Sequence, residues 1–160
     1  MQERLYACFC CCIVLCLLID VWFYRQEERV GLVMRDRKEF IVSFLAIVRM
    51  GCIALLINPD LPARHLTDTI EKTLCRVVIT DDQFADTLLP VILKQGCKKV
   101  VLVKNNHETQ RKGQVMSTSH YQHPEVFMWD DLMGRLNASS GFSGCLTTAE
   151  SPCFWLCTSG

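Results

Sequence analysis

From Arg29 onward the apolar positions of the chain alternate between two periods. "RVGLVM" is an uninterrupted apolar run of strand length, and Asp36 with Glu39 three residues on forms an Asp-led capping box that opens a helix. Within that helix Ile41, Phe44, Leu45 and Val48 fall at i, i+3, i+4 and i+7, one apolar stripe, and Gly51 supplies the stop. "CIALLIN" is a second strand, after which "NPDLP" turns the chain into a helix whose Leu66, Ile70 and Leu74 lie one turn apart. "RVVIT" is a third strand. A helix begun by Asp81 and Asp82 then carries Phe84, Leu88 and Ile92, with Pro90 expected to kink it or end a regular stretch. "KKVVLV" is a fourth strand, "EVFMW" a short one, "DDLMGRL" a short helix and "NASSGFSG" a loop. The segment 104–124 has no periodicity and reads as an exposed polar loop.

Strands that lack polar alternation and are separated by helices of strand-spanning length are buried on both faces. That combination specifies an α/β fold of parallel strands joined by right-handed βαβ crossovers. Residues 28–160 form this domain, and residues 1–27 form a separate apolar, cysteine-rich segment. In the latter, Leu5 to Tyr24 carries one charge, Asp20, and has about the length of a membrane-spanning helix, which makes it a candidate anchor. Arg25, Arg29, Arg35, Arg37 and Lys38 crowd its C-terminal side, so an anchor would leave the rest of the chain in the cytoplasm. Asp20 shortens the uncharged run to Leu5–Ile19, and a buried helix accounts for the same pattern.

Composition narrows the function classes. Lys and Arg balance Asp and Glu to a formal charge of zero, so no basic field draws nucleic acid. The eleven cysteines lack the regular spacing of a secreted disulfide framework. Five crowd between Cys8 and Cys16, while Cys52, Cys75, Cys97 and Cys157 lie in or beside apolar runs, the behaviour of free thiols in a reducing compartment. C-x-C-C-C offers no C-x-x-C pair, and His120 and His123 sit in a polar loop without further ligands, so no metal site is expected. No G-x-G-x-x-G follows the first strand, which leaves a dinucleotide or flavodoxin-like module with topology but no fingerprint. No nucleophile–base pair can be assigned, and Asp81 with Asp82, like Asp130 with Asp131, reads as acids stabilising helix starts.

Taken in order, "ERVGLVMRDRKEFIVSFLAIVRMGCIALLINPDLPARHLTDTIEKTLCRVVITDD", "KKVVLV" and "FWLCTSG" resemble the N-terminal part of the adenylate-forming superfamily of AMP-dependent synthetases and ligases. In that superfamily an apolar strand leads into a phosphate loop of pattern T-S-G-[ST]-T-G-x-P-K-G, and Thr158, Ser159 and Gly160 match its first three positions. Such a loop uses glycines to let backbone N–H groups converge on phosphate oxygens, hydroxyls to donate hydrogen bonds and a lysine as a point charge. The aromatic pair Phe154–Trp155 before the loop is most similar to the aryl- and acyl-CoA ligase branches, although aromatic residues in a strand equally serve core packing.

The resemblance implies a two-step reaction. A carboxylic acid attacks ATP with magnesium to give an acyl-adenylate, and a thiol, commonly coenzyme A, displaces AMP. The magnesium-binding acid and the adenylation lysine of the superfamily have no counterpart in these residues, so no catalytic residue and no metal ligand is assigned. The expectation is an N-terminal fragment that binds none of these cofactors productively and is inactive by itself. A non-catalytic, membrane-anchored α/β interaction module is the alternative. Upstream of "ERVGLVM" the chain departs from the superfamily, which there has a soluble amphipathic helix.

Overall fold

The computed structural model describes residues 27–94, 99–104, 126–134 and 147–157. Six strands, all paired in parallel, form one sheet. They are β1 (Arg29–Val33), β2 (Ile53–Leu56), β3 (Val77–Asp81), β4 (Lys99–Val103), β5 (Val126–Met128) and β6 (Phe154–Leu156), in spatial order β5-β4-β3-β1-β2-β6. The helices between them are α1 (Lys38–Arg49), α2 (Ala63–Thr73), α3 (Ala85–Lys94) and α4 (Trp129–Gly134).

The uninterrupted apolar runs are explained by layers on both faces. On one face Val30, Leu32, Ala54, Val77, Ile79 and Val101 pack with Ile47 of α1 and with Trp129 and Leu132 of α4. On the other Val33, Leu55, Val78, Val100 and Leu102 pack under Leu66 and Ile70 of α2 and Leu88, Leu89 and Ile92 of α3. Gly31 faces this second layer, where a Cβ would stand 3.4 Å from both Cys75 Sγ and Val78 Cγ2, so the glycine admits a close approach.

Helix α1 ends as its sequence demands. Gly51 has φ of 74°, its N–H donates to Val48 O at 3.0 Å, and the Cys52 N–H donates to Ile47 O at 3.1 Å. These are the two bonds of a Schellman stop, and they require the left-handed residue that glycine supplies without strain.

Three local expectations are corrected. The capping box does not form, because α1 starts after Arg37 without a side-chain cap and Glu39 accepts from Arg37 Nε instead. The stripe on α1 is rotated: Ile41 and Leu45 are 58% and 47% exposed, while Ser43, Ala46 and Ile47 face the sheet. Leu74 points to solvent, because it adopts the left-handed conformation, φ 52°, that closes α2. Of the two outcomes expected at Pro90, an end to the helix is excluded, since Pro90 lies inside α3. Asp130 and Asp131 do occupy the first turn of α4. The candidate anchor Leu5–Tyr24, the histidines at 120 and 123 and nearly all of the polar loop lie outside the described residues. Among the described residues no helix is long and apolar enough to cross a membrane.

Candidate functional site

Because every pairing is parallel, all strands end at one edge of the sheet, where the turns after β1, β2 and β3 begin and where Lys104 and Cys157 follow β4 and β6. The chain passes from β1 outward to β2, then crosses β1 to reach β3 and continues the other way to β4. The boundary between β1 and β3 is therefore the topological switch point, where open α/β sheets take their ligands.

At that boundary the third strand ends in a buried acid. Asp81 is both the last residue of β3 and the N-cap residue of the 3-10 helix Asp82–Phe84, but its side chain makes no capping bond and is 2% exposed. Its Oδ1 accepts from Arg37 Nη1 at 2.7 Å and its Oδ2 from the Arg35 backbone N–H at 3.1 Å. Beside it the Thr80 hydroxyl donates to Val33 O at 2.8 Å, which satisfies the last carbonyl of β1 where the two chains diverge. Arg37 spends its other nitrogens on Glu39 Oε2 and on Lys104 O, both at 2.8 Å. Burial alone would lower the Arg37 pKa, but the bonds to Glu39 and Asp81 outweigh it and hold the pKa above its ordinary value. The side-chain tie between Arg35 and Asp60, at 2.6 Å, links the turns after β1 and β2 but is solvent-exposed and adds little energy.

This constellation was missed in the sequence because Arg35 and Arg37 read as part of a basic cluster and Asp81 as a helix-start acid. The one available signal was an acid closing a fully apolar strand, where an unpaired carboxylate could not be buried.

At the other end of the edge, β6 lies beside β2. Ala54 pairs with Phe154, Leu55 with Trp155 and Leu56 with Leu156. The ladder runs one residue further, since the Cys157 N–H donates to Leu56 O at 3.3 Å. The expected phosphate-loop residues Thr158, Ser159 and Gly160 lie outside the described residues, directly after Cys157. Phe154 packs edge-on against Phe44 of α1, with ring centroids 6.0 Å apart, and the Arg29 guanidinium stands 5.6 Å from the Trp155 ring. All three residues of β6 remain substantially exposed, so the aromatic pair does not sit in a closed core. Among the described residues no group of three or more His, Cys, Asp or Glu is placed to hold a metal ion.

Known proteins share both the sequence and the fold. The family described as "AMP-binding enzyme" matches residues 24–160. The chain is 34% identical over 60 residues to a 3-hydroxybenzoate–CoA ligase of Aromatoleum sp. (strain CIB), covering 38% of this chain and 12% of that protein. It is 34% identical over 67 residues to a 4-hydroxybenzoate–CoA/benzoate–CoA ligase of Rhodopseudomonas palustris, covering 42% of this chain and again 12% of the relative. Among solved structures, an anthranilate CoA ligase in complex with anthranoyl-AMP matches with a TM-score of 0.55 at 26% identity, over 60% of this chain and 19% of that one. An acyl-CoA synthetase of Brucella canis matches with a TM-score of 0.70 over 95% of this chain and 25% of that one; at 12% identity it shows the fold. The chain thus spans about an eighth of the curated relatives. A parallel six-stranded sheet with the matched segment running through all of its strands establishes that this chain belongs to the AMP-binding enzyme family.

Proposed function

We propose that the chain carries the phosphate-binding end of a carboxylate–CoA ligase, with ATP as the nucleotide and an aromatic carboxylic acid as the substrate class. The observation that carries this reading is the placement of β6: its ladder with β2 runs to Cys157 at the ligand-bearing edge of the sheet, and Thr158, Ser159 and Gly160 follow Cys157 in sequence. There the two hydroxyls and the glycine backbone start a cradle for phosphate oxygens. Magnesium and coenzyme A enter as the family's expected partners in adenylation and thioester formation. The aromatic preference is supported by the hydroxybenzoate and anthranilate ligases among the similar proteins. Free Cys52, Cys75, Cys153 and Cys157 accord with a reducing, cytoplasmic setting.

The 160 residues contain no G-x-P-K-G, and adenylation depends on positioned cations and donors, each worth two or more orders of magnitude. The isolated chain therefore gives no carboxylate-dependent ATP–pyrophosphate exchange. The decisive experiment replaces the matching segment of a 4-hydroxybenzoate–CoA ligase with residues 24–160. The chimera is expected to exchange pyrophosphate, and Gly160→Val within it to lose about two orders of magnitude. Exchange by the isolated chain would sink the claim of inactivity; a chimera indifferent to Gly160→Val would sink the loop assignment.

A further inference from the structure

The switch-point crevice between the ends of β1 and β3 is filled by the chain's own Arg37. Three oxygen acceptors surround its guanidinium: the Asp81 carboxylate, the Glu39 carboxylate and the Lys104 carbonyl, each bound to a different nitrogen at 2.7, 2.8 and 2.8 Å. They come from β3, from the first turn of α1 and from the end of β4, and Arg37 itself follows β1. The Asp81 side chain is almost wholly buried, and its second oxygen is already taken by the Arg35 N–H.

We propose that this crevice is a guanidinium-selective site, occupied in cis by Arg37, that latches the C-terminal ends of β1, β3 and β4 and closes the switch point to phosphate-bearing ligands. The selectivity follows from geometry. A planar guanidinium reaches three separated oxygens with three separate nitrogens, whereas an ammonium carries all its donors on one atom. The closure follows from charge, because two carboxylates and a carbonyl would face any anion that displaced the arginine. A nucleotide held at this edge is therefore received away from β1 and β3.

The test uses the full chain made by cell-free translation at low concentration, with thermolysin resistance as the readout of folding. Arg37→Ala is expected to raise the cleavage rate at least about ten-fold, since it leaves Asp81 buried without its partner. Millimolar ethylguanidinium, the part of the side chain removed, should recover most of that loss. Ethylammonium at equal ionic strength should not, and neither compound should change the wild type. Adding Asp81→Asn to Arg37→Ala should abolish the recovery. Equal rescue by both compounds, or an Arg37→Ala chain as resistant as wild type, overturns the proposal. If Arg37→Ala is too unfolded to be rescued, Arg37→Lys decides. The latch requires it to be cleaved several-fold faster than wild type, and wild-type resistance of this charge-preserving variant refutes guanidinium selectivity.

Discussion

The rotation of α1 can be tested by truncating one isoleucine on each side of it. Ile47 is fully buried against the sheet and Ile41 is 58% exposed, although the apolar spacing of the sequence selects Ile41 for the core. Ile→Ala removes three carbons, about 2.4 kcal/mol of transfer free energy when the side chain is wholly buried. At Ile47 a residual cavity beneath the helix adds to this, giving about 3–4 kcal/mol. At Ile41 somewhat under half of the transfer term applies, about 1 kcal/mol, no closed cavity is left, and the better helix propensity of alanine returns a few tenths, so the net cost is about 0.5 kcal/mol. Pulse proteolysis across a urea series, at low protein concentration, gives both stabilities on one scale. Equal losses, or a larger loss at Ile41, would show that α1 is turned the other way and would refute the packing described for this layer.

Two further outcomes are expected. Ser43 Oγ is the one buried side-chain polar atom without a hydrogen-bond partner among the described residues, so Ser43→Ala should leave the urea midpoint unchanged or raise it by the equivalent of about 1 kcal/mol; a clear loss of stability would reveal an unrecognised partner. Burial, with a further contribution from the Glu28 carboxylate, pushes the Cys52 thiol up to about 12, and burial likewise raises Cys75 and Cys157. The folded state therefore holds these protons after the unfolded chain has released them. At Cys52 the stabilisation is intact below about pH 9 and is lost as pH rises toward about 12, at up to about 1.4 kcal/mol per pH unit. Cys52→Ala should flatten that alkaline slope in urea titrations, and an unchanged slope would argue against a buried Cys52.

Periodicity and packing explain which parts of the fold were legible. The four inner strands are buried on both faces, so each appears as an unbroken apolar run, and the α/β class follows from them directly. Helix α1 was misread because Phe40, Ile41, Val42, Phe44, Leu45, Ile47 and Val48 leave hardly any side of it polar, so a stripe could be drawn on more than one face. The face that wins contains Ser43 and Ala46, small residues that let the helix approach the sheet, and a hydrophobic count gives them little weight. The pairing of Asp81 was missed for a different reason. Its partner Arg37 lies 44 residues earlier, and only the sheet order brings the two together. Thr158, Ser159 and Gly160, which lie outside the described residues, are read as the start of a phosphate loop through family resemblance alone, since T-S-G after a strand is by itself an ordinary turn.

The two ends of the sheet edge divide the chemistry between them. A polyanion is held by donors that point at it, and at the switch point each Arg37 nitrogen and the Arg35 N–H already donate to the protein's own oxygens. The described β6 ladder, in contrast, closes with the Cys157 N–H, and the hydroxyl-bearing residues of the phosphate-loop pattern follow at once. The latch also serves that end indirectly. It fixes the turn after β1, from which Arg35 reaches Asp60 on the turn after β2, the strand against which β6 is laid. Occupying the usual crevice with an arginine thus orders the edge while leaving the β6 end for the phosphate site of the proposed function.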